Sequence, residues 1–413
     1  MGETDNSRPK SASLGDLELQ WPVSLSRSGA DGPRSASRIT TMTTTVRELA
    51  QSERHYWNAE VQRFASAHPL NAFEWGEVRS VDGWVPIYLC AERGGAFCGG
   101  MMVLRKKLPF TPFTIMYAQK MPVWRHDDEE TLAALVKAAI SIGKRDNAIF
   151  LRINPNIPET AAEGREDRFV KLGFRHLRQR WSFWNSPRDV ARIDLTKLDR
   201  AQPFFDLLPK NVRASVRKAR RIGVTIESGT TKADLEQFYR MFREFSIERS
   251  FMVREFSYQE KLWEKYLQQG MGRLLLAKYE GRVVGGCLDL EFAGKCLGMH
   301  GGSLVRYRGL GIDDAFNVAA IEAAKQNGCV WYSFRGLGSR PTQEAYKRKF
   351  MIQVVSLVGY YDLPFKPTLY RLFYLAEFTL LPASWPLIIR IRKLADVTKK
   401  KWTNKPAPSH PVP

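Results

Sequence analysis

Two similar stretches, "AERGGAFCGGMMVL" (residues 91–104) and "AKYEGRVVGGCLDLEF" (residues 277–292), decide the fold. Each begins with a charged turn and continues into a strand that carries a Gly-Gly pair. The two pairs are 186 residues apart. A fixed offset of this kind is typical of an internal duplication. The alternative is that two α/β segments look alike by chance.

The same succession of elements follows both stretches: a strand, a loop, an amphipathic helix and a short strand. The helices are "EETLAALVKAAISIGKRDN" (residues 129–147) and "IDDAFNVAAIEAAKQNG" (residues 312–328), and each leads into a β-rich stretch. Antiparallel hairpins followed by strand, helix and strand predict a mixed sheet flanked by helices. This order matches the acyl-CoA N-acyltransferase (GNAT) architecture. We therefore predict an α/β protein (α+β mixed sheet) with two tandem GNAT-like acyltransferase domains.

A chain of 413 residues is longer than a single core usually spans. Residues 1–41 are rich in Ser, Gly, Asp and Arg and have no apolar core, so we expect this segment to be disordered and not to be a signal peptide. No run of 18 apolar residues predicts a membrane span. Apolar residues at helical spacing predict a helix within residues 46–67. The expected segments are a disordered extension (1–45), a first GNAT-like domain (46–195), a second (196–365), an amphipathic helical segment (366–402) and a disordered tail (403–413).

The net charge of +20 favours an anionic partner, such as nucleic acid, a phosphate-rich ligand or a membrane surface. Solubility alone is the alternative. Part of the charge is concentrated in "KNVRASVRKARRIGV" (residues 210–224), where six cations and no acid accompany apolar residues at helical spacing. This pattern predicts an amphipathic basic helix that ends near Gly223. Its charged face either binds phosphates or is simply solvated.

The cysteines and histidines show no metal-binding pattern. Five cysteines include no C-x-x-C pair, and six histidines include no H-x-x-x-H pair. We expect no metal site, and buried reduced thiols in a cytoplasmic protein.

A glycine-rich loop lies in "VRYRGLGIDDAF" (residues 305–316), between a strand predicted to end near Leu304 and a helix predicted to begin near Ile312. Backbone N–H groups, the helix N-terminus and two arginines would together form an anion cradle of the size of a pyrophosphate. The spacing R-x-x-G-x-G is the one that GNAT enzymes use against coenzyme A. A plain strand-to-helix turn is the alternative. Asp313 and Asp314 are expected to cap the helix. The donor-phosphate candidates are Arg306, Arg308, Gly309 and Gly311.

The C-terminal segment "TLYRLFYLAEFTLLPASWPLIIRIRKLADVTKKKW" (residues 368–402) mixes aromatic, aliphatic and basic residues. It either lies at a membrane interface or packs as helices on the second domain. In the first case the anchoring residues would be Trp385, Arg390, Arg392, Lys393 and the lysines at 399–401.

Five segments, in order over roughly residues 55–370, resemble motifs of the FemABX family, which attaches amino acids to peptidoglycan precursors with two GNAT-like domains in one chain. They are "FEWGEVRSVDGW" (73–84), "LPFTPFTIMYAQKMPVW" (108–124), the basic helix (210–224), "AIEAAKQNGCVWYSFRGLG" (320–338) and "EAYKRKFMIQVVSLVGYYDLP" (344–364). The resemblance implies that Arg79, Arg213 and Arg217 contact the precursor. It also implies that Tyr346 and Lys347 take the positions of the family's Phe-Lys pair.

The sequence departs from the family pattern in three places. Ser333 replaces an Asp, and Lys349 and Met351 replace glycines. The glycine-rich loop is also closer to relatives that depend on coenzyme A. These departures leave two acyl donors open.

The resemblance implies that an amine attacks an ester or thioester carbonyl. Lys347 is the candidate for stabilising the oxyanion, with Tyr346 fixing its stem; a surface lysine is the alternative. No carboxylate stands out as a base. The favoured function is amide formation on an envelope precursor from aminoacyl-tRNA, without a tightly bound cofactor. The alternatives are an acetyl- or acyl-CoA-dependent N-acetyltransferase of an envelope glycan or amino sugar, and a non-catalytic nucleic-acid or membrane-binding module.

The expected partners follow from these functions. They are an anionic or lipid-linked precursor, transfer RNA, and a peripheral membrane contact through residues 368–402. The expected location is the cytoplasm, at the inner face of the membrane.

Overall fold

The computed structural model describes residues 43–161, 166–177, 188–337 and 341–384. Most of the predicted N-terminal extension, the predicted tail, and residues 385–402 with their predicted membrane anchors lie outside the described residues. Within the described ranges, no helix is both long enough and apolar enough to cross a bilayer.

The described chain alternates strands and helices in the order predicted for an α/β protein. The helices are α1 (Arg54–Val61), α2 (Phe73–Ser80), α3 (Glu129–Arg145), α4 (Glu166–Lys171), α5 (Phe204–Leu207), α6 (Lys210–Arg221), α7 (Lys232–Arg249), α8 (Phe256–Lys265), α9 (Ile312–Gln326), α10 (Pro341–Arg348) and α11 (Pro367–Leu375), which continues into a π-helical turn (Ala376–Leu380). The strands are β1 (Thr45–Glu48), β2 (Trp84–Arg93), β3 (Ala96–Lys107), β4 (Thr114–Lys120), β5 (Val123–Trp124), β6 (Ala148–Pro155), β7 (Arg175–Leu177), β8 (Asp189–Asp194), β9 (Thr225–Ser228), β10 (Gly272–Tyr279), β11 (Arg282–Phe292), β12 (Lys295–Ser303), β13 (Trp331–Gly336), β14 (Gln353–Ser356) and β15 (Tyr360–Pro364).

These strands form two mixed sheets. The first has the order β1-β2-β3-β4-β6-β15-β7, with β5 paired to β3, and the second has the order β14-β8-β13-β12-β11-β10-β9. Each sheet contains one parallel pair, β4 with β6 and β12 with β13, joined by α3 and α9 respectively. The succession β2-β3-β4-α3-β6 therefore recurs as β10-β11-β12-α9-β13. The predicted duplication and the predicted fold class are confirmed.

The Gly-Gly pairs allow a helix to lie close to the sheet in each half. A Cβ atom at Gly99 would lie 2.7 Å from Thr131 Cγ2 in α3, and one at Gly285 would lie 2.8 Å from Ile312 Cγ2 in α9. The register of the β2–β3 and β10–β11 hairpins also shifts at equivalent points. Because glycine has no Cβ, the Gly-Gly motif lets a helix pack closely on the sheet in both halves.

Two strands pair outside the half to which the predicted ranges assign them. β8 precedes residue 196 but pairs with β13 and β14 of the second sheet. β15 precedes residue 366 but pairs with β6 and β7 of the first sheet. The two halves are thus interlocked by one strand each, and the predicted domain limits remain a prediction.

The predicted helix within residues 46–67 is wrong at its start. Residues Thr45–Glu48 form strand β1, which pairs with β2, and the helix begins only at Arg54. Over a few residues, this apolar spacing is compatible with a helix or with a strand. Residues 45–48 form a strand because they pair with β2 at the edge of the sheet.

The cores of both sheets are rich in buried aromatic and aliphatic side chains. The five cysteines are free; Cys98 is half-buried and the other four are buried. The prediction of buried thiols is therefore confirmed for four of them.

The C-terminal helix packs on the first sheet, and not on the second domain as the sequence had suggested as one alternative. A buried ion network anchors it: Arg152 of β6 donates to Asp362 Oδ1 and Oδ2 at 2.7 Å and to Glu377 Oε1 at 2.7 Å. Tyr370 Oη also donates to Asp362 Oδ2 at 3.0 Å. The aromatic face of the helix covers Phe150 of the same strand.

Candidate functional site

The second sheet opens between its two parallel strands. β12 and β13 pair only through Lys295–Leu297 and Trp331–Ser333, although β12 extends to Ser303. In the first sheet, by contrast, β4 and β6 pair along their whole length. Crevices at the carboxyl ends of parallel strands are where open α/β sheets bind ligands. We refer to this opening as the β12–β13 gap.

Lys347 lies at the β13 side of this gap. It is near the end of α10, and its ammonium group donates to Phe334 O at 3.0 Å and to Gly336 O at 2.6 Å. Both acceptors are main-chain carbonyls at the carboxyl end of β13. The side chain is half-buried and held in place, so its position does not fit the alternative of a surface lysine. Its part in chemistry remains a prediction.

Tyr346 packs against the first turns of α9. Asn317 Nδ2 donates to Tyr346 Oη at 3.1 Å and to Asp313 O at 2.8 Å, and Phe350 packs edge-on against the tyrosine ring. Burial raises the pKa of Tyr346 well above its usual value, and the neighbouring carboxylates of Asp313 and Asp314 raise it further. The phenol therefore stays protonated and ties α10 to α9.

The two aspartates lie in the first turn of α9, as predicted, although neither is the N-cap residue itself. The N-cap position is Gly311, which has no side chain to bond the helix. Asp313 Oδ2 instead accepts a hydrogen bond from Ser303 Oγ at 2.9 Å, and burial raises the pKa of this carboxyl group. Asp314 is 7 % exposed, and its buried Oδ1 makes no hydrogen bond. These carboxylates lie at the carboxyl end of β12, which makes them acid–base candidates that sequence reasoning had set aside.

The glycine-rich loop packs against the basic helix. Gly309 and Gly311 adopt left-handed φ angles of 87° and 82°. A Cβ atom at Gly311 would lie 2.3 Å from Ser215 O of α6, and Lys218 Nζ donates to Gly309 O at 2.8 Å. The glycines are therefore needed for the turn and for contact with α6. Space remains on the Gly309 side, where an added Cβ would meet no atom within 4 Å.

The loop arginines differ in their surroundings. Arg306 Nη1 forms an ion pair with Glu244 Oε1 of α7 at 2.6 Å, and Val305 N donates to Glu248 Oε2 at 2.8 Å. Arg308 is exposed, and its charge only partly offsets the rise that burial causes in the pKa of Asp313. The Glu244 carboxylate thus pairs with one of the two arginines that were predicted to face a pyrophosphate. The loop's role in donor binding remains a prediction.

The basic helix α6 forms as predicted and ends at Arg221. Arg217 is exposed and lies over Phe205 at 5.5 Å, measured from the guanidinium carbon to the ring centroid. Arg213 is half-buried, and its buried Nε makes no hydrogen bond. A cavity of about 350 Å³ opens beside α6, lined by Phe205, by Arg220 and by apolar side chains of α9. The helix therefore combines free positive charge with an aromatic surface.

Arg79 lies in a different group of charges, which contains residues that sequence reasoning missed. Its guanidinium group lies over the rings of Trp75 and Trp84, and its Nε is 3.4 Å from Asp82 Oδ2. Lys106 Nζ donates to Asp82 O at 2.8 Å, and Arg254 pairs with the Asp82 carboxylate. We call the residues Arg79, Asp82, Lys106 and Arg254 the Asp82 cluster.

The Asp82 cluster carries an excess of positive charge. It has three cations and one carboxylate, and burial lowers the pKa of both Arg79 and Lys106. The buried Nε of Arg79 makes no hydrogen bond, although it lies near the Asp82 carboxylate. Arg254 is exposed, so the cluster reaches solvent. Uncompensated, partly desolvated cations of this kind favour an anionic ligand.

No local pattern could have identified this cluster. Lys106 ends a strand, and Arg254 lies just before α8, far along the chain from Arg79. The packing of α2 against α8 brings Arg254 to Arg79, and the pairing of β2 with β3 places Lys106 beside them. The resemblance to the family motif had singled out Arg79, but nothing in the sequence had singled out Asp82, Lys106 or Arg254.

Comparisons with known proteins agree with this architecture. A curated relative, "Lipid II:glycine glycyltransferase" of Staphylococcus aureus, is 24% identical over 231 residues, which are 55% of each chain. The chain thus spans about half the length of the curated relatives it matches. Two solved structures share the fold: "Crystal structure of FemX" (TM-score 0.70, 18% identity, 79% of this chain and 99% of that one) and a tandem GNAT protein from the clavulanic acid biosynthesis pathway (TM-score 0.51, 11% identity, 78% and 98%).

The family comparison covers more than half of the chain. The sequence model of the FemAB family matches residues 56–282, a range that includes the Asp82 cluster and the basic helix α6. With the duplicated GNAT-like fold and the order of its motifs, this match establishes that the chain belongs to the FemAB family.

Proposed function

We propose that this protein is an aminoacyltransferase that forms an amide on an amine of a peptidoglycan-type, lipid-linked precursor. The Asp82 cluster carries the proposal, because a partly buried group with surplus positive charge is suited to the phosphates of such a precursor. The S. aureus relatives are named for glycyl transfer involving lipid II. Family membership makes the same class of acceptor the natural candidate here.

The β12–β13 gap is the proposed place of reaction. The acceptor amine attacks the ester carbonyl of the donor, a C–N bond forms, and the ester C–O bond breaks to release a hydroxyl group. Lys347 stabilises the negative charge that develops on the carbonyl oxygen. Asp313 accepts the proton that the amine loses, since a carboxyl group with a raised pKa is better matched to an amine, and returns it to the departing oxygen, which leaves as the hydroxyl group. Most of the acceleration comes from holding both substrates together.

Aminoacyl-tRNA is the proposed donor. Glu244 and Glu248 lie against the glycine-rich loop and oppose a pyrophosphate there, which disfavours coenzyme A. The exposed cations of α6 suit a longer polyanion. Phe205, with Arg217 and Arg220 over its ring, offers a surface on which a nucleobase can stack.

Acetyl-CoA and a pool of charged transfer RNA, titrated separately onto the purified chain, test the donor. We expect RNA binding that weakens steeply with salt, since several phosphate contacts release counterions, and no binding of acetyl-CoA. The variant Arg217→Ala should reduce the salt slope by about one unit. Micromolar acetyl-CoA binding without RNA binding would instead identify an acyl-CoA-dependent N-acetyltransferase.

A further inference from the structure

An exposed apolar surface lies on the first sheet. Four large side chains form it: Phe110 in the β3–β4 loop, and Leu372, Leu375 and Leu380 on the C-terminal helix. Phe110 is fully exposed, and the three leucines are 60 %, 50 % and 59 % exposed. We call this set the Phe110 surface. Exposed apolar side chains that lie close together mark interaction sites more often than scattered ones do.

The loop that presents Phe110 is held in a defined shape. Leu108 N donates to Phe113 O at 2.9 Å, Thr111 Oγ1 donates to Leu108 O at 3.1 Å, and Asn147 Nδ2 donates to Pro112 O at 3.1 Å. Phe110 itself has a φ of 58°, which is unfavourable for a bulky residue. The fold thus holds an aromatic ring in water although its backbone conformation is also costly.

The loop and the helix belong to one surface. Phe113 of the loop and Phe373 of the helix pack on the same buried cluster, which contains Ile149 and Phe150. The network of Arg152, Asp362 and Glu377 fixes the inner face of the helix. The leucines on its outer face are therefore held outward on a helix that packs on the same cluster as the loop of Phe110.

The exposed charges of the two segments that form this surface have one sign. Within residues 106–113 and 366–384, the exposed or half-buried charged side chains are all basic: Lys106, Lys107, Lys366 and Arg371. The one acid in these ranges, Glu377, is 1 % exposed and paired with Arg152. A second copy of the chain would bring basic residues against basic residues. An anionic lipid surface complements both the apolar centre and the basic rim.

We propose that the Phe110 surface docks the protein on an anionic lipid bilayer. Phe110 and the leucines enter the boundary between headgroups and acyl chains, while Lys366 and Arg371 contact lipid phosphates. The proposal deepens the proposed function, on which it rests for its purpose: the bilayer would present a lipid-linked acceptor to the enzyme. Docking itself can be measured without any acceptor.

Flotation of the full-length protein with vesicles of phosphatidylcholine, with and without phosphatidylglycerol, tests the docking. We expect the partition coefficient to rise with phosphatidylglycerol and to fall about tenfold or more in Phe110→Glu/Leu372→Glu, because buried apolar area is replaced by anionic groups. Val354→Glu is the control: it removes an exposed apolar side chain from the second sheet and should bind as the parent does.

A second readout does not depend on charge reversal. Phe110→Cys in a Cys98→Ser background, labelled with an environment-sensitive dye, should shift its emission to the blue on anionic vesicles. Unchanged emission, or undiminished flotation of the folded double variant, would overturn the proposal. So would a change from dimer to monomer in that variant, because it would identify the surface as a contact between copies.

Transfer to a soluble precursor without a lipid tail separates this proposal from the proposed function. The double variant should retain that transfer and lose transfer to a vesicle-bound precursor. If the parent protein transfers to neither acceptor but still floats with vesicles, the proposed function fails and the docking surface stands.

Discussion

At the residue scale, Lys347 combines a structural and a proposed chemical task. Lys347→Ala should lower kcat by roughly 10²–10³, the usual effect of losing one oxyanion donor. Because two hydrogen bonds to β13 are lost as well, unfolding should become easier by about 1–3 kcal/mol. Turnover of the precursor and thermal unfolding of the same sample measure both. A folded variant with normal kcat would remove Lys347 from the reaction.

Arg254 tests whether the Asp82 cluster binds the anionic precursor. Arg254→Ala should raise KM for the precursor about 10- to 100-fold, the equivalent of one charge-assisted hydrogen bond of roughly 1.5–3 kcal/mol, and leave kcat nearly unchanged. Arg240→Ala is the matched control, because Arg240 is an exposed arginine paired with Glu236 within α7. Equal KM values for the two variants would contradict the assignment.

Asp289 should make stability depend on pH. Burial raises the pKa of this carboxyl group to about 7, and its Oδ2 makes no hydrogen bond. The folded state then binds more protons than the unfolded state between the ordinary aspartate pKa and about 7, so the free energy of unfolding falls as pH rises through this window. The effect is at most about 4 kcal/mol.

Denaturant unfolding at several pH values, with Asp289→Asn beside the parent protein, measures this dependence. The amide cannot ionise, so the variant should gain stability relative to the parent as pH rises. Parallel pH profiles for the two proteins would show that Asp289 does not titrate in this range.

At the element scale, the turn between β12 and α9 is shaped by its contact with the basic helix α6. Gly309→Ala and Gly311→Ala both place a side chain at a left-handed φ, which costs roughly 1–2 kcal/mol. Only at Gly311 does the new Cβ meet a backbone atom, Ser215 O. Gly311→Ala should therefore lower Tm more than Gly309→Ala does, as measured by calorimetry.

Hydrogen exchange distinguishes the cause of this difference. In Gly311→Ala, protection should fall in α6, because its backbone must move away from the new methyl group. Equal Tm losses with α6 protected in both variants would mean that the turn tolerates the contact.

At the scale of the whole molecule, the C-terminal helix is joined to the first sheet by buried charge. Arg152→Ala leaves the carboxylates of Asp362 and Glu377 buried without their cation and should destabilise the protein by roughly 3–5 kcal/mol. Glu377→Gln keeps the Arg152–Asp362 pair and should lower the free energy of unfolding clearly less. Urea unfolding of both variants makes the comparison, and similar losses would contradict the prediction, because Glu377→Gln retains the cation whose removal is expected to cost most.

The sequence alone determined what depends on local periodicity and on residue type. The repeated Gly-Gly hairpins gave the duplicated unit, because their small size is required where α3 and α9 lie on the sheets. The apolar spacing of Val212, Val216 and Ala219 predicted α6, and these are its buried residues. The start of α9 at Ile312 followed from the glycine turn before it. Such signals depend on a few neighbouring residues, so they can be recognised without knowing which surface the segment packs against.

Only the tertiary structure decided what depends on contacts between distant segments. The exchange of β8 and β15 between the sheets, the pairing of Arg306 with Glu244, and the approach of Arg254 to Arg79 join segments far apart in the chain. A local sequence pattern does not show which distant residues will form these contacts. Desolvation, which lowers the pKa of Arg79 and raises that of Asp289, likewise exists only once the chain has packed, so the chemistry of these groups is set by the fold.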